Sequence, residues 1–442
     1  MKRKTLLLLL AAASLSVFAR AVLGPAETER ILSALPPGRI TLPATLGLFG
    51  LLLLVKSLLW HSELRRAIAP LADNEITPLR YPSISVIRPV RGKDVGAAEN
   101  FTAALDTGYP GEVETLFVFD DDKDPGLPVA REVVARHAAS GRPGRAVVIV
   151  AGSPPPGRTG KLNAMSVGAR AARGELIAFG DSDTRPDRLV LRRTVETLLA
   201  SKGAGSAFAP ILVHQPPRAA GDALYALMQN ALYAPLAAFA SGERRELPFI
   251  MGQIMVFRRE ALKAIGGVES VQGQLVDDMA IGKRVHEHGF KNVMSRSPLH
   301  IATGGLTLRK FLPIFRRWMY FSRNGLPGSF VWRQWLQGAE WFVAFGTLVA
   351  TLVTGHFLAA LLPLAAMVAQ TASLIALNRR YGGAPIPARL WWAAAAFYFV
   401  SPVVLVQNML KKRVEWRGRE YKLNTAAALV APAPVMQQQL AA

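Results

Sequence analysis

The chain is apolar at both ends, and its middle alternates short apolar runs with amphipathic ones. Residues 1–24, an apolar run behind basic N-terminal residues, are typical of a signal anchor or signal peptide. Residues 40–60 match the length of about 20 residues that a transmembrane helix needs. Residues 339–410 are apolar enough for two or three further crossings. The pattern therefore predicts a membrane protein with helices at both ends.

Between these ends, residues 80–305 switch repeatedly between a strand pattern and a helix pattern. The predicted strands are Ile84–Arg88, Thr115–Phe119, Ala146–Val150, Leu176–Phe179, Ala207–Leu212 and Gln253–Phe257. The predicted helices include Pro128–His137, Lys161–Ala172 and Asp187–Ala200. This alternation predicts an α/β domain with a mostly parallel sheet covered on both faces. Ligands of such sheets bind beyond the carboxyl ends of the strands.

Composition and charge narrow the range of partners. The formal net charge is +21, and the basic residues lie beside apolar runs without a nucleic-acid motif. We therefore expect the membrane, and not nucleic acid, to be the partner of these residues. The chain has no cysteine, which excludes disulfides and thiolate metal sites.

Basic residues beside the apolar segments predict the orientation in the membrane. Arg65 and Arg66 follow residues 40–60 and favour a cytoplasmic middle domain. Arg379, Arg380 and the basic cluster that begins residues 411–442 also favour the cytoplasm. If residues 390–410 crossed the membrane once, these two basic groups would lie on opposite sides of it. A re-entrant segment would remove this conflict. After its basic start, the tail is of low complexity.

Residues 306–338 form a predicted amphipathic segment in which arginines and lysines alternate with aromatic residues at helical spacing. Two interpretations are open. The segment is either an interfacial helix lying on the bilayer or a helix packed on the middle domain with its arginines reaching out to solvent.

Three acidic clusters carry the candidate chemistry. The first, residues 120–122, follows the predicted strand Thr115–Phe119. The second, Asp181 with Asp183, follows the predicted strand Leu176–Phe179. Two carboxylates at i and i+2 on a loop can hold a divalent cation, and Lys161 can reach the same cleft as a positive charge for a diphosphate. The third cluster, Asp277 and Asp278, begins a helical pattern. These acids either cap the helix or include a general base for a hydroxyl. Together they predict metal-assisted handling of a nucleotide diphosphate.

In this order and spacing, the motifs resemble the inverting family 2 type glycosyltransferases with the GT-A fold. Within them they resemble the ceramide glucosyltransferase branch, which includes bacterial hopanoid-associated members. The resemblance covers roughly Ser83 to Pro327, through SISVIRPVRGKD, LDTGYPGEVETLFVFDDDKDP, GKLNAMSVGARAARGELIAFGDSD, VDDMAIGKRVHEHGF and FRRW.

The resemblance implies a role for each matching residue on the donor side. Asp121 matches the acid that contacts the nucleotide base, with an uncertainty of one position, and Lys161 matches the lysine beside the nucleotide. Asp181 and Asp183 match the pair that holds Mg²⁺ or Mn²⁺ on the diphosphate.

Asp278 matches the catalytic base and Asp277 its acidic neighbour. Arg317 and Trp318 match the end of a Q/R-x-x-R-W signature whose first position is Ile314 in this chain. That signature helps processive synthases hold their growing chain, so this departure favours the transfer of a single sugar. Arg316 is one candidate to replace the missing residue.

The resemblance implies a membrane-bound enzyme that moves one sugar from a nucleotide-diphosphate sugar, a UDP-sugar, to a lipid hydroxyl such as that of ceramide. It also implies a bacterial inner membrane with the catalytic domain in the cytoplasm. The alternatives are a polyprenyl-phosphate glycosyltransferase, a processive polysaccharide synthase and, from another class, an inactive nucleotide-binding membrane scaffold.

Overall fold

The computed structural model describes residues 42–68, 78–244, 247–301, 303–326, 328–410, 413–416, 419–422 and 429. The predicted signal segment and most of the tail lie outside these residues. The chain divides into two compact units. The first comprises Met1–Glu63 and Gln334–Ser373, and the second comprises Leu64–Arg333 and Leu374–Ala442.

Regular elements cover most of the described residues. The helices are α1 Leu42–Ala67, α2 Ala97–Leu105, α3 Leu127–Ala139, α4 Gly160–Ala171, α5 Val190–Ala200, α6 Ala220–Leu227, α7 Ala234–Arg244, α8 Arg259–Ala264, α9 Asp277–Glu287, α10 Leu308–Gly325, α11 Gly328–Val353, α12 Phe357–Tyr381 and α13 Trp392–Leu410. The strands are β1 Ile84–Val90, β2 Val113–Phe119, β3 Arg145–Val150, β4 Leu176–Gly180, β5 Thr184–Arg185, β6 Ala204–Phe208, β7 Ile211–Val213, β8 Ile254–Arg258, β9 Lys291–Met294, β10 Leu299–Ile301, β11 Arg413–Trp416 and β12 Arg419–Lys422. A π-helix, Met228–Tyr233, joins α6 to α7.

Four of the described helices are long and apolar enough to cross a membrane. Their candidate spans are Pro43–Ala67, Leu336–Val353, Phe357–Tyr381 and Ala388–Asn408. These segments lie on both sides of the α/β core in the chain, which confirms the prediction of candidate membrane helices at both ends.

The first unit packs its helices through small and branched side chains. Leu53 of α1 lies in one apolar cluster with Ala344 of α11 and Ala366 of α12. Lys56 of α1 forms an ion pair with Glu340 of α11. Pairing neutralises two charges that would each be costly to leave alone in hydrocarbon.

The second unit is built on a seven-stranded sheet of order β3-β2-β1-β4-β8-β6-β9. All neighbouring strands run parallel except that β8 runs antiparallel to β4 and β6. The prediction of a mostly parallel α/β sheet is therefore confirmed. The central strands β1, β2 and β4 are buried almost throughout, as expected for strands covered on both faces. A small second sheet has the order β5-β10-β7.

The prediction of one strand over Ala207–Leu212 is wrong. The structure divides this segment into β6, which ends in the large sheet, and β7, which begins in the small one. Pro210 stands between them and has no N–H to donate to a neighbouring strand. The last bond to the large sheet before it runs from the amide of Ala209 to the carbonyl of Ile254, over 3.2 Å.

Helix α4 lies close against β1 because it carries Gly168 at the contact. A Cβ at this position would lie 2.5 Å from Cγ2 of Ile87. The helix begins after Thr159, whose Oγ1 accepts a hydrogen bond of 3.0 Å from the amide of Leu162. This start places Lys161, in the first turn, near the carboxyl ends of the central strands.

Helix α9 is tied to the sheet by one buried side chain. Asn292 of β9 donates to the carbonyls of Gly282 in α9 and of Leu247, each over 2.8 Å. Its Oδ1 accepts a bond of 2.6 Å from the hydroxyl of Ser206. Because Asn292 is fully buried, none of these groups has water as an alternative partner.

We predict that Asn292→Ala destabilises the second unit by about 3 kcal/mol, because it leaves buried carbonyls and a hydroxyl unpaired. The apparent Tm in detergent should fall by roughly 5–10 °C. Thr102→Ala is the control, since its exposed hydroxyl bonds only within its own helix, and it should change Tm little. An unchanged Tm for Asn292→Ala would contradict the assigned role of this network.

Candidate active site

A cavity of about 390 Å³ opens at the carboxyl ends of the central strands. The candidate site residues that line it are Lys161, Asp181, Asp183, Asp277, Asp278, Arg317 and Trp318. They come from α4, the loop after β4, the start of α9 and one face of α10. The fold thus brings residues more than 150 positions apart in the chain into one cavity.

Asp121 is the candidate that does not line this cavity. Its side chain is exposed, and its Oδ1 accepts a bond of 2.9 Å from the amide of Lys123 in the turn after β2. That bond lowers the pKa of Asp121. The preceding residue, Asp120, is buried, lines the cavity and pairs with Arg91 at 3.2 Å. The acid that faces the cavity after β2 is therefore one position earlier than the residue matched by sequence.

The loop of Asp181 and Asp183 is fastened from below by Arg88 of β1. The guanidinium of Arg88 donates to the carbonyl of Asp181 and, over 3.1 Å, to the carbonyl and the hydroxyl of Thr184. Burial lowers the pKa of Arg88 to about 10, against the opposing effect of the nearby carboxylates. The group therefore stays charged at neutral pH and compensates the acidic loop.

Two further contacts fix the same loop. The hydroxyl of Ser182 donates to Asp94 over 2.7 Å. The amide of Asp181 donates to the backbone carbonyl of Gln253 over 3.0 Å. The loop is thus held by β1, by the segment after β1 and by the segment before β8, and its carboxylates line the cavity.

Lys161 pairs with Asp181 across the cavity wall. Its Nζ lies 2.7 Å from Oδ1 of Asp181, and the two side chains are only 15% and 24% exposed. Burial alone would lower the pKa of Lys161, but the carboxylates of Asp181, Asp277 and Asp278 outweigh it and raise that pKa. Lys161 is therefore a permanent positive charge in this cavity.

Asp277 and Asp278 form the first turn of α9. The residue that precedes the helix is Val276, so neither aspartate is the N-cap residue itself. Oδ1 of Asp277 accepts from the amide of Asp278, and Oδ1 of Asp278 accepts from the amide of Met279, each over 2.9 Å. Burial raises the pKa of both acids, and that of Asp278 reaches about 6 although Lys161 opposes the shift.

The segment before β8 approaches Asp278 closely because it contains Gly252. A Cβ on Gly252 would lie 2.4 Å from Oδ2 of Asp278. The next residue, Gln253, holds the amide of Asp181 through its carbonyl. One short segment therefore sets the positions of both the acidic loop and the first turn of α9.

Helix α10 has one face on the cavity and another in the core. Ile314, Arg317, Trp318 and Phe321, spaced three or four apart, line the cavity. Phe311 and Phe315 are buried. Helix α10 thus packs on the unit through one face and leaves its basic start exposed.

Arg316 does not replace the missing residue of the signature at Ile314. Its guanidinium instead bonds Oδ1 of Asn408 over 3.0 Å and the carbonyl of Arg413 over 2.8 Å. One helical position turns a side chain by about 100°, which explains why Arg316 leaves the cavity wall while Arg317 lines it.

Sequence reasoning missed several residues of the cavity wall. These are Arg91, Asp94, Tyr225, Gln253 and Tyr421. Burial raises the pKa of Tyr225, so it faces the cavity as a neutral phenol. One signal in the sequence pointed to this region. Arg88 is a charged residue inside an apolar strand, and a buried charge needs a polar partner nearby. Tyr421, in the hairpin β11–β12, had no comparable signal.

The histidines form no metal cluster. The rings of His214 and His300 are in contact in a tilted arrangement, with centroids 4.6 Å apart, and do not line the cavity. Within the described residues, no group of three or more His, Asp or Glu side chains is arranged to hold a metal ion by itself.

The chain is similar to known glycosyltransferases. The profile of glycosyl transferase family 21 matches residues 47–429. Ceramide glucosyltransferase 1 of Caenorhabditis elegans is 22% identical over 364 residues, or 78% of this chain and 72% of that protein. Ceramide glucosyltransferase 3 of the same organism is 25% identical over 252 residues, or 56% of this chain and 52% of that protein.

Among solved structures, a mannosyltransferase from Pyrobaculum calidifontis, in complex with GDP-Man and Mn²⁺, superposes with a TM-score of 0.51. The two chains are 20% identical, and the match covers 82% of this chain and 99% of that one. At this identity the likeness concerns the fold, and it confirms the GT-A fold expected from the sequence.

We predict that Arg88→Met loosens the loop that carries Asp181 and Asp183, because bonds from a charged donor contribute about 1.5–3 kcal/mol each. Hydrogen–deuterium exchange of the amides at 181–184 should accelerate by at least about tenfold. Arg136→Met, which breaks only an exposed pair with Glu132, is the matched control and should leave this exchange unchanged. Equal exchange in both variants would show that Arg88 does not hold the loop.

Proposed function

The chain belongs to glycosyl transferase family 21, and from that premise we propose that it transfers one sugar from a UDP-sugar to a hydroxyl of a membrane lipid such as ceramide, with inversion. The observation that carries the proposal is one cavity containing a carboxylate of raised pKa, Asp278, beside Lys161 and the two-carboxylate loop. An acceptor hydroxyl needs a base, and a departing diphosphate needs positive charge.

The donor would bind on the polar side of the cavity. We assign the contact with the nucleotide base to Asp120, one position before Asp121, because Asp120 lines the cavity. Lys161 would supply its charge to the diphosphate, together with Arg317 from α10. Asp277, buried beside Asp278, would restrict where the sugar lies.

The residues present fit a divalent cation. Asp181 and Asp183 offer hard carboxylate oxygens on one loop of the cavity. Mg²⁺ is commonly held by one or two protein carboxylates together with substrate phosphates, which suits a site without a third acidic ligand. When bound, Mg²⁺ or Mn²⁺ would neutralise charge on the leaving diphosphate.

The chemical step follows from the position of Asp278. Its carboxylate would take the proton of the acceptor hydroxyl while that oxygen attacks the anomeric carbon of the sugar. The bond from this carbon to the diphosphate breaks on the opposite face, so the configuration inverts. The nucleoside diphosphate leaves with the bonding electron pair, and Lys161 stabilises its charge. No covalent intermediate is required.

The lipid acceptor is supported by the candidate membrane helices and by two relatives that are ceramide glucosyltransferases. Arg65 and Arg66 end α1, which favours a cytoplasmic catalytic unit. The absence of Gln or Arg at Ile314 supports a single transfer and not a processive one.

The proposal is tested by incubating membranes from an expressing strain with radiolabelled nucleotide sugars, with Mg²⁺, Mn²⁺ or EDTA. Extracted lipids are then separated by thin-layer chromatography and analysed by mass spectrometry. A new metal-dependent lipid with one sugar is expected. Label in a polymer, or in polyprenyl phosphate, would instead favour a processive synthase or a polyprenyl-phosphate glycosyltransferase.

We predict that Asp278→Asn lowers turnover by about 10²–10⁴-fold, because the amide cannot accept the proton of the acceptor. UDP binding, measured by calorimetry, should change little. Glu287→Gln, at the exposed end of the same helix, is the control and should retain normal turnover. Near-normal turnover of Asp278→Asn would rule out this residue as the base and point to a phosphate acceptor.

The raised pKa of Asp278 also predicts a pH profile. The base works only as a carboxylate, so kcat/KM should rise with pH through about 6 and level off above it. An unburied aspartate would place this limb near pH 4. A profile flat down to pH 4.5, measured under conditions where the protein stays folded, would contradict the role of Asp278.

A further inference from the structure

Helix α13 combines the length and composition of a membrane span with contacts that a span does not make. Its candidate segment, Ala388–Asn408, is as apolar as the other candidates. Unlike them, it belongs entirely to the unit that contains the polar cavity. The position of this helix decides where the membrane surface lies with respect to that cavity.

Both ends of the helix are fastened to the catalytic unit. Just before it, Arg389 donates to the carbonyl of Arg218 over 3.4 Å. At its other end, Asn408 exchanges two hydrogen bonds of 3.0 Å with the side chain and the carbonyl of Arg316 in α10. Between the ends, Phe397 packs on Phe315 of α10, with ring centroids 5.0 Å apart.

The chain that follows α13 stays on the same unit. In the hairpin β11–β12, Val414 and Tyr421 are cross-strand partners. Val414 packs with Leu275, and Tyr421 lines the cavity. Farther on, the amide of Leu429 donates to the carbonyl of Gly273 over 2.7 Å. The chain after α13 therefore returns to the segment just before the first turn of α9.

A full crossing is incompatible with these contacts. The helix of 19 residues is about 28 Å long at 1.5 Å per residue, close to the thickness of the hydrocarbon core. If it crossed, one of its fastened ends would lie on the far side of the membrane. Its neighbour α10 presents Arg317 to the cavity, and its neighbour α6 presents Tyr225; a crossing would pull that polar cavity into hydrocarbon.

The two faces of α13 differ sharply. Ala393, Ala394 and Phe397 are buried against the unit, as is Val404. The opposite face is apolar and about half exposed, at Trp392 (50%), Phe399 (48%), Val403 (57%), Val406 (52%) and Leu410 (77%). Their spacing of three, four or seven positions places these residues on one stripe.

We propose that α13 lies in the plane of the membrane, with this stripe inserted into the leaflet that faces the catalytic unit. A lipid leaflet is the occupant that fits: the stripe is apolar, it begins with tryptophan, and the basic pair Arg379 and Arg380 precedes it at the end of α12. Tryptophan favours the bilayer interface, and basic residues favour anionic headgroups. The placement puts the basic residues before and after α13 on one side of the membrane.

This placement does not depend on which donor or acceptor the enzyme uses. Because the chain has no cysteine, each single-cysteine variant reports one position. Pro385→Cys and Glu420→Cys report the two sides of α13, Lys202→Cys reports the catalytic unit, and His356→Cys reports the turn between α11 and α12. A membrane-impermeant maleimide is applied to right-side-out and inverted vesicles.

We expect positions 385, 420 and 202 to react from the same side, at least tenfold more than from the other, and position 356 from the opposite side. Labelling of positions 385 and 420 from opposite sides would overturn the proposal. The readout needs no enzymatic activity, so its failure and that of the proposed function remain distinct.

The depth of the stripe gives a second measurement that is independent of accessibility at the ends. Spin labels at Trp392→Cys, Phe399→Cys and Val406→Cys should show similar, shallow depths by oxygen and nickel-chelate relaxation in lipid nanodiscs. A helix that crosses would place position 399 deepest and positions 392 and 406 nearer to opposite surfaces. Val404→Cys, on the buried face, should be shielded from both reagents, which would show that this face stays packed in that variant.

Discussion

The ion pair between Lys161 and Asp181 is the interaction on which the cavity depends. It joins the first turn of α4 to the loop after β4, two elements that the sheet brings to the same edge. The charge of Lys161 also acts on Asp277 and Asp278, so one cation balances carboxylates from two separate segments. Without it, the buried acids would bind protons more tightly, because burial disfavours the charged form. The charge of Lys161 thus opposes the effect of burial on the pKa of Asp277 and Asp278.

The rest of the second unit supports this balance by fixing backbone positions. Arg88 carries a buried charge directly beneath the acidic loop. Asn292 ties α9 to the sheet, and Gly252 lets the segment before β8 approach Asp278 closely. Each of these residues lies in the sheet or next to a strand. The candidate site is therefore positioned by the sheet and the segments next to it, which suits the preorganised electrostatic stabilisation that the proposed reaction needs.

The sequence allowed the acidic clusters and Lys161 to be predicted because they end buried strands or begin helices, where patterns are strongest. It could not distinguish Asp120 from Asp121. Only one of two neighbouring side chains in the turn after β2 faces the cavity, and the local sequence pattern does not determine the conformation of that turn. It also missed the antiparallel direction of β8 and the break at Pro210. The direction of β8 depends on the path of the long connection that precedes it, and therefore on tertiary packing. The break had a local signal, because proline has no N–H to donate to a neighbouring strand.

The membrane segments show a different limit of sequence reasoning. Hydropathy measures whether a segment is apolar on average, and both faces of α13 contribute apolar residues to that average. One apolar face packs on α6 and α10, and the other apolar face is exposed. A window average adds the two and cannot separate them. The basic residues before and after this helix conflict only if it crosses, so the charge pattern agrees with the proposed placement in the plane of the membrane. When two basic groups flank an apolar segment, contacts at both of its ends therefore carry more weight than its length.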